Sequence, residues 1–130
     1  MAVELNHTIV SARDKHRSAE FVGRLLGIEP SPEFGPFVPL TLANGATLDY
    51  ANAPDGAQIT VQHYAFLVSE ADFDEIFGRI QAAGLPIWAD PYGTRPGEIN
   101  HNDGGRGVYF RDPDGHILEI FTRPYGSGSA

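Results

Sequence analysis

The stretch GVYFRDPDGHILEI, residues 107–120, decides the fold of this chain. It predicts a strand, a tight turn over Asp-Pro-Asp-Gly and a second strand. Side chains alternate between the two faces of a strand, so Ile117, Glu119 and Phe121 share one face of the second strand. The opposite face carries the other residues of this strand, His116, Leu118 and Ile120. Glu119 is therefore predicted to lie between two large apolar residues on a buried face.

Composition and charge limit the classes of protein to which the chain can belong. Its 130 residues are 42% hydrophobic, which suits one globular domain or two small modules that share a sheet. The net charge of -8 argues against partners such as nucleic acid or anionic membranes, which need basic patches. The absence of cysteine excludes disulfides and thiolate chemistry. Without a long apolar run or a signal-peptide pattern, we expect a cytoplasmic protein that binds a small molecule.

Two similar stretches begin the two halves of the chain. LNHTIVS (residues 5–11) and VQHYAFLVS (residues 61–69) each predict a strand whose third residue is histidine. A helix is predicted after each strand. The first covers about residues 14–26. The second begins after Ser69, a typical N-cap, and Gly84 is predicted to end it.

The ends of the two halves are also similar. GATLDY (residues 45–50) matches GHILEI (residues 115–120), and this match places Asp49 where Glu119 stands in the second half. The sequence thus predicts two related modules in tandem, each with its own carboxylate near the end.

We predict an α+β fold of two paired β-α-β-β-β modules, within one domain over residues 1–124. Module one covers about residues 1–55, module two about residues 59–124, and residues 125–130 form a flexible tail. The middle strands are predicted at residues 34–42, 87–89 and 108–110. The Gly- and Pro-rich stretch of residues 90–107 predicts a long loop, which at that length is usually functional or mobile.

Three strands each place one possible metal ligand among apolar residues on a face predicted to be inward: His7, His63 and Glu119. A lone buried carboxylate costs several kcal/mol or stays neutral, and a divalent cation removes that cost. Two imidazoles and one carboxylate are typical of non-haem Fe(II) or Mn(II) sites that keep coordination positions open. The alternatives are structural, hydrogen-bonded histidines, and a Glu119 that faces solvent or pairs with Arg111 or Arg123.

With these motifs, the chain resembles the vicinal oxygen chelate superfamily, which includes glyoxalase I, bleomycin-resistance proteins, fosfomycin-resistance enzymes and extradiol dioxygenases. The resemblance covers residues 4–123 and rests on LNHTIV, QHYAFLV and VYFRDPDGHILEI. It implies a curved, cup-shaped mixed sheet with flanking helices, and a homodimer. It also implies that His7, His63 and Glu119 bind a divalent metal, with Fe(II) favoured and Mn, Ni or Zn as alternatives.

A narrower resemblance is to extradiol ring-cleavage dioxygenases, which are iron-dependent oxidoreductases. Their signature matches INHNDGGRGVYFRDPDGHILE, with His101, Tyr109 and Glu119 in register. It implies that His101 hydrogen-bonds the substrate or bound oxygen, and that Tyr109 holds a catecholic hydroxyl and helps to deprotonate it. The chain departs from these enzymes because it has one double-module domain instead of two. It also lacks their acid-base histidine, for which His16, on a predicted helix, is the only candidate.

Two other functions remain open. Glyoxalase I, a lyase, has a fourth ligand at the position of Asp49, although Asp is one methylene shorter than the expected Glu. Bleomycin-resistance proteins bind ligand without metal and usually lack the ligating residues that this chain keeps. We interpret His116 as non-ligating because it lies on the face opposite Glu119. Arg95 and Arg106 are predicted to be solvated, with an anionic substrate group as the alternative partner.

Overall fold

The computed structural model describes residues 1–128, so the last two residues of the predicted tail lie outside the described residues. The chain divides into two compact units, unit 1 from Met1 to Thr60 and unit 2 from Val61 onward. Across residues 1–128, no helix combines the length and the apolar character that crossing a bilayer requires.

Unit 1 contains one helix and a mixed three-stranded sheet. The strands are β1 (His7–Ala12), β2 (Phe37–Thr41) and β3 (Thr47–Asn52), and helix α1 (Lys15–Leu26) connects β1 to β2. β3 is central, parallel to β1 and antiparallel to β2. The helix crossover explains the parallel pair, since parallel strands need a long connection between them.

Unit 2 repeats this arrangement. Its strands are β4 (His63–Leu67), β5 (Gly107–Arg111) and β6 (Ile117–Phe121), and helix α2 (Glu70–Ala82) follows β4. β6 is central, parallel to β4 and antiparallel to β5. A single 3-10 turn, Asn102–Gly104, lies in the long loop before β5. The α+β class and the paired modules predicted from the sequence are confirmed.

Within residues 1–128 each unit forms a three-stranded sheet, and the remaining strand positions predicted for each module are reduced to isolated bridges. In unit 1 the predicted strand of residues 34–42 is interrupted, and Phe34 forms only an isolated bridge with Phe37. Gly35 adopts a positive φ of 57° and Pro36 has no N–H to donate, so the ladder stops there. In unit 2 the predicted strand of residues 87–89 is reduced to isolated bridges made by Trp88.

The helix ends follow the capping residues. The Asp14 side chain accepts hydrogen bonds from two backbone N–H groups of the first turn of α1, and Gly27 ends that helix with φ 76°. Ser69 caps α2 in the same way by accepting from the N–H of Asp72. These interactions satisfy backbone groups that a helix end leaves unpaired, so both helix starts were predictable from the sequence.

The strands of the two sheets pair in the same register within each sheet. β1 and β4 both begin at a histidine, and the carboxylate of the central strand lies opposite the residue two positions further on. In unit 1 that pair is Ile9 and Asp49. In unit 2 it is Ala65 and Glu119. The internal repeat in the sequence is therefore a repeat of backbone pairing, and it gives each unit a histidine and a carboxylate on adjacent strands.

Candidate metal centre

Glu119 is the centre of the candidate site. It lies in the middle of β6, and its side chain is only 1% exposed, as predicted from the strand alternation. Its carboxylate contacts His63 and Tyr125, rather than the arginines considered as alternatives. Neither partner carries a permanent positive charge, so a cation bound beside this buried carboxylate would stabilise its negative charge.

His63 reaches the same carboxylate from the neighbouring strand. Its Nε2 lies 3.0 Å from Oε1 of Glu119. The parallel register of β4 and β6 causes this contact, because it puts the two side chains on one face and on adjacent strands. The His63 side chain remains 39% exposed, so this end of the pair is accessible. The structure thus brings together two of the three predicted ligands.

Tyr109 lies beside the pair of His63 and Glu119, on strand β5. It lies directly opposite Glu119 in the β5–β6 ladder, and its ring centroid is 5.6 Å from that of His63. Burial raises the pKa of Tyr109 above its ordinary value, and a hydrogen bond with Tyr125 and the negative charge of Glu119 raise it further. At neutral pH the hydroxyl therefore keeps its proton and acts as a hydrogen-bond donor.

Tyr125, predicted to lie in a flexible tail, instead contacts the candidate site. The Tyr125 hydroxyl donates to the Glu119 carboxylate, at 2.9 Å from Oε1 and 3.2 Å from Oε2. Its ring stacks on Phe121 with the centroids 5.3 Å apart. Burial is the main cause that raises the pKa of Tyr125. The only available signal in the sequence was its place four residues after Phe121, the aromatic residue that ends β6.

His7 and Asp49 are the corresponding side chains of unit 1. His7 is exposed, with Nδ1 2.7 Å from Oδ1 of Asn6. Asp49 is half-buried and accepts a hydrogen bond of 3.0 Å from the Thr47 hydroxyl. Their roles as third and fourth metal ligands stay predictions.

The prediction that the His7 and His63 faces are inward is wrong for this chain. Ile9, on the His7 face of β1, is 54% exposed, and Leu67, on the His63 face of β4, is 57% exposed. The buried residues of β1 are Val10 and Ala12, which alternate with these positions. Each strand therefore turns its other face to the core, and the ligand face stays open.

Within residues 1–128, no three His, Asp or Glu side chains come together as a group that could hold a metal ion. His63 and Glu119 nevertheless fit such an ion, because an imidazole nitrogen and a carboxylate oxygen already converge at 3.0 Å. Both are ligand types that suit iron and manganese. A metal ion bound by this pair would need at least one further ligand.

Two other histidines lie elsewhere in unit 2. His101 is exposed in the long loop, where its Nδ1 is 3.2 Å from the carbonyl oxygen of Gly105. His116 is fully buried, and its Nδ1 accepts a hydrogen bond from the backbone N–H of Gln62. The bond from Gln62 agrees with the interpretation of His116 as non-ligating, since it occupies Nδ1.

The prediction that Arg106 is solvated is wrong. Its Nε donates to Glu70 and its Nη1 to Asp74, both at 2.8 Å, and its guanidinium lies 4.4 Å above the Phe73 ring. Hydrogen bonds from Thr122 and from Arg106 lower the pKa of Glu70. Arg106 therefore fastens the end of the long loop to α2 and is occupied by carboxylates.

The family comparison matches this architecture. The model of the Glyoxalase/Bleomycin resistance protein/Dioxygenase superfamily matches residues 4–120. The chain belongs to this superfamily.

Several known proteins resemble the chain over most of its length. The solved structure of Oxidase ChaP-H2 is 65% identical, covers 99% of this chain and 100% of its own, and superimposes with a TM-score of 0.95. Oxidase ChaP-H1 is 58% identical, with 96% and 99% coverage and a TM-score of 0.91. Glutathione transferase FosA from Serratia marcescens is 32% identical over 126 residues, which are 92% of this chain and 81% of the relative.

Proposed function

We propose that the protein is a metal-dependent oxygenase of the extradiol type, acting on a catechol or a similar substrate with two adjacent oxygen atoms. The observation that carries the proposal is the buried Glu119 carboxylate, joined to His63 and bordered by Tyr109. The 65% identity to a protein named an oxidase supports oxygen chemistry over the other reactions of the superfamily.

His63 and Glu119 would hold the metal, and we propose His7 as the third ligand. Fe(II) is the favoured ion, with Mn, Ni or Zn as alternatives, because the ligand types alone do not select among them. When bound, the metal supplies Lewis acidity and open coordination positions for the substrate oxygens and for O2.

The surrounding residues would bind and orient the substrate. Tyr109 would donate a hydrogen bond to a substrate oxygen, since its raised pKa keeps the hydroxyl protonated at neutral pH. This changes the role expected from the resemblance, in which Tyr109 helps to remove a proton. His101 would approach the substrate from the long loop and hydrogen-bond an oxygen atom.

We also propose that the protein is a homodimer. The supporting observation is the exposure of apolar side chains beside the proposed ligands, Ile9 beside His7 and Leu67 beside His63. Exposed apolar side chains on the open face of a sheet are typical of surfaces that bind a partner. A second copy would remove these side chains from water and would shield the neighbouring imidazoles.

The test is metal loading followed by an oxygen assay. Purified protein is analysed for metal, loaded anaerobically with Fe(II), and assayed in an oxygen electrode with a panel of catechols. We expect one metal per chain and oxygen uptake with a ring-cleaved product. His63→Ala and Glu119→Gln should lose the metal. His16→Ala should keep it, because His16, on α1, pairs with Glu33. Metal binding without oxygen uptake would contradict the oxygenase proposal.

A second candidate is glyoxalase-like or thiol-transfer chemistry, favoured by the 32% identity to a glutathione transferase. In that case Asp49 would be a fourth ligand, and four protein ligands would suit an ion that polarises a substrate oxygen. Turnover of methylglyoxal with glutathione, lost in Asp49→Asn, would support it. Failure to bind metal under any loading would leave a ligand-binding protein of the bleomycin-resistance type.

A further inference from the structure

The chain turns back after β6, and residues 124–128 pack against the candidate site. We name this stretch the C-terminal segment. Two backbone N–H groups, of Gly126 and Gly128, donate to the two carboxylate oxygens of Asp103 at 3.3 and 3.2 Å. A Cβ at Gly128 would overlap the Asp103 backbone, so the approach there requires glycine. The segment is therefore fixed to the long loop at a defined place.

Tyr125 is the only side chain of the C-terminal segment that contacts the Glu119 carboxylate within residues 1–128. Its ring is held by stacking on Phe121, and its hydroxyl donates to both oxygens of Glu119. A hydrogen bond also links it to Tyr109. Phe121 holds the ring and Asp103 holds the backbone of the segment, so the hydroxyl points in a fixed direction.

A carboxylate has about four lone-pair sites, so it can accept from Tyr125 and still present an oxygen to a cation. Oε1 faces both His63 and Tyr125, and Oε2 faces Tyr125. Loss of the Tyr125 hydroxyl would let the carboxylate rotate about its terminal torsion, which is intrinsically soft. The remaining partners, His63 and Tyr109, leave the carboxylate without the hydroxyl that reaches both of its oxygens.

We propose that Tyr125 is a positioning residue that orients the Glu119 carboxylate toward His63 for metal binding. This inference rests on the proposed function, since it supposes that Glu119 is a ligand. Hydrogen bonds that orient metal ligands are typically worth about 10–100-fold in metal affinity. Tyr125→Phe keeps the ring and its stacking and removes only the hydroxyl, so it should weaken Mn(II) and Fe(II) binding by about 10–100-fold.

The experiment is an anaerobic titration of Tyr125→Phe and the parent with Mn(II), followed by the visible absorption spectrum of the Co(II) forms. The matched control is Tyr92→Phe, because Tyr92 is 86% exposed in the long loop. Asp103→Ala, which frees the C-terminal segment, should weaken binding in the same direction. Thermal unfolding of all variants checks that the fold is kept. We expect weaker Mn(II) binding and an altered Co(II) spectrum in Tyr125→Phe and Asp103→Ala, and neither change in the control.

The outcomes separate the two proposals. A parent that binds neither ion overturns the metal-dependent function, and the role of Tyr125 with it. A parent that binds metal, together with a Tyr125→Phe variant of equal affinity and spectrum, overturns the positioning role alone. Tighter binding by Tyr125→Phe also overturns it, because the hydroxyl would then compete with the cation for the carboxylate.

Discussion

Glu119 lies at the point where three side chains of unit 2 meet. His63 approaches from β4, Tyr109 stands opposite on β5, and Tyr125 returns from beyond β6. Taking a carboxylate out of water costs several kcal/mol unless charge or hydrogen bonds offset it. Its partners here supply hydrogen bonds, and a bound cation would supply the charge.

At the residue scale, Tyr109→Phe should separate metal binding from turnover. The substitution keeps the buried ring and all the proposed ligands, so metal content at saturating metal should stay at the parent level. Turnover of the true substrate should fall by about 10²–10³-fold, the usual contribution of one hydrogen-bond donor to charge that develops on an oxygen. Metal analysis and steady-state kinetics measure the two quantities. Unchanged turnover would show that Tyr109 only fills space.

The sequence predicted these residues unequally. Glu119 and His63 were predictable because strand alternation puts each among apolar neighbours. Both also lie in motifs that occur in the two halves of the chain. Tyr125 was not, because it lies in a Gly- and Ser-rich stretch that resembles a solvated tail. Its place depends on the bond from the neighbouring Gly126 to Asp103, which is 23 residues earlier in the chain and therefore invisible in local pattern.

At the scale of the element, the two helices differ at equivalent glycines. Gly23 in α1 and Gly78 in α2 occupy the same place in the repeat. A Cβ at Gly23 would overlap the carbonyl oxygen of Ile28, whereas a Cβ at Gly78 would meet nothing within 4 Å. Only the first glycine is required by packing.

Alanine at these two positions should therefore have opposite effects on stability. Gly23→Ala forces the backbone of residue 28 to move and should lower the free energy of unfolding by about 1–3 kcal/mol. Gly78→Ala should raise it by about 0.8–1.0 kcal/mol, the difference in helix propensity. Urea unfolding followed by circular dichroism measures both. Equal effects of one sign would contradict the close approach at Gly23.

The ion pair of Arg106 and Glu70 attaches the long loop to α2, and its contribution to stability should depend on pH. The pKa of Glu70 is lowered in the folded state, so its ionised form stabilises the fold above its ordinary pKa of 4.5. That contribution is lost as the pH falls through the lowered pKa. Glu70→Gln should therefore be less stable than the parent at pH 7, and the gap should be smaller at pH 3.

Urea midpoints at the two pH values measure this difference. Glu75→Gln is the control, because Glu75 is also on α2 and pairs with Arg79 within the same helix. A gap between Glu70→Gln and the parent that is as large at pH 3 as at pH 7 would contradict the electrostatic origin. The sequence did not reveal the contact because Glu70 and Arg106 are 36 residues apart.

At the scale of the whole molecule, the open apolar faces predict the oligomeric state. Leu67→Glu should dissociate the proposed dimer, since each copy would lose about 2 kcal/mol of apolar burial and the two losses together amount to about a 10³-fold weaker association. Tyr92→Ser, at an exposed position of the loop, is the control. Sedimentation velocity at micromolar concentration measures the mass. A parent that sediments as a monomer would contradict the dimer.

The common register of the two sheets has an evolutionary meaning. Duplication and fusion of one ancestral module would leave two halves with matching pairs, and later change would make them unequal. Opposite Glu119 stands Tyr109, with a hydroxyl, whereas opposite Asp49 stands Pro39, which has no polar side chain. The second half thus carries a longer acid opposite a hydroxyl, whereas the first half has the same scaffold without that pair.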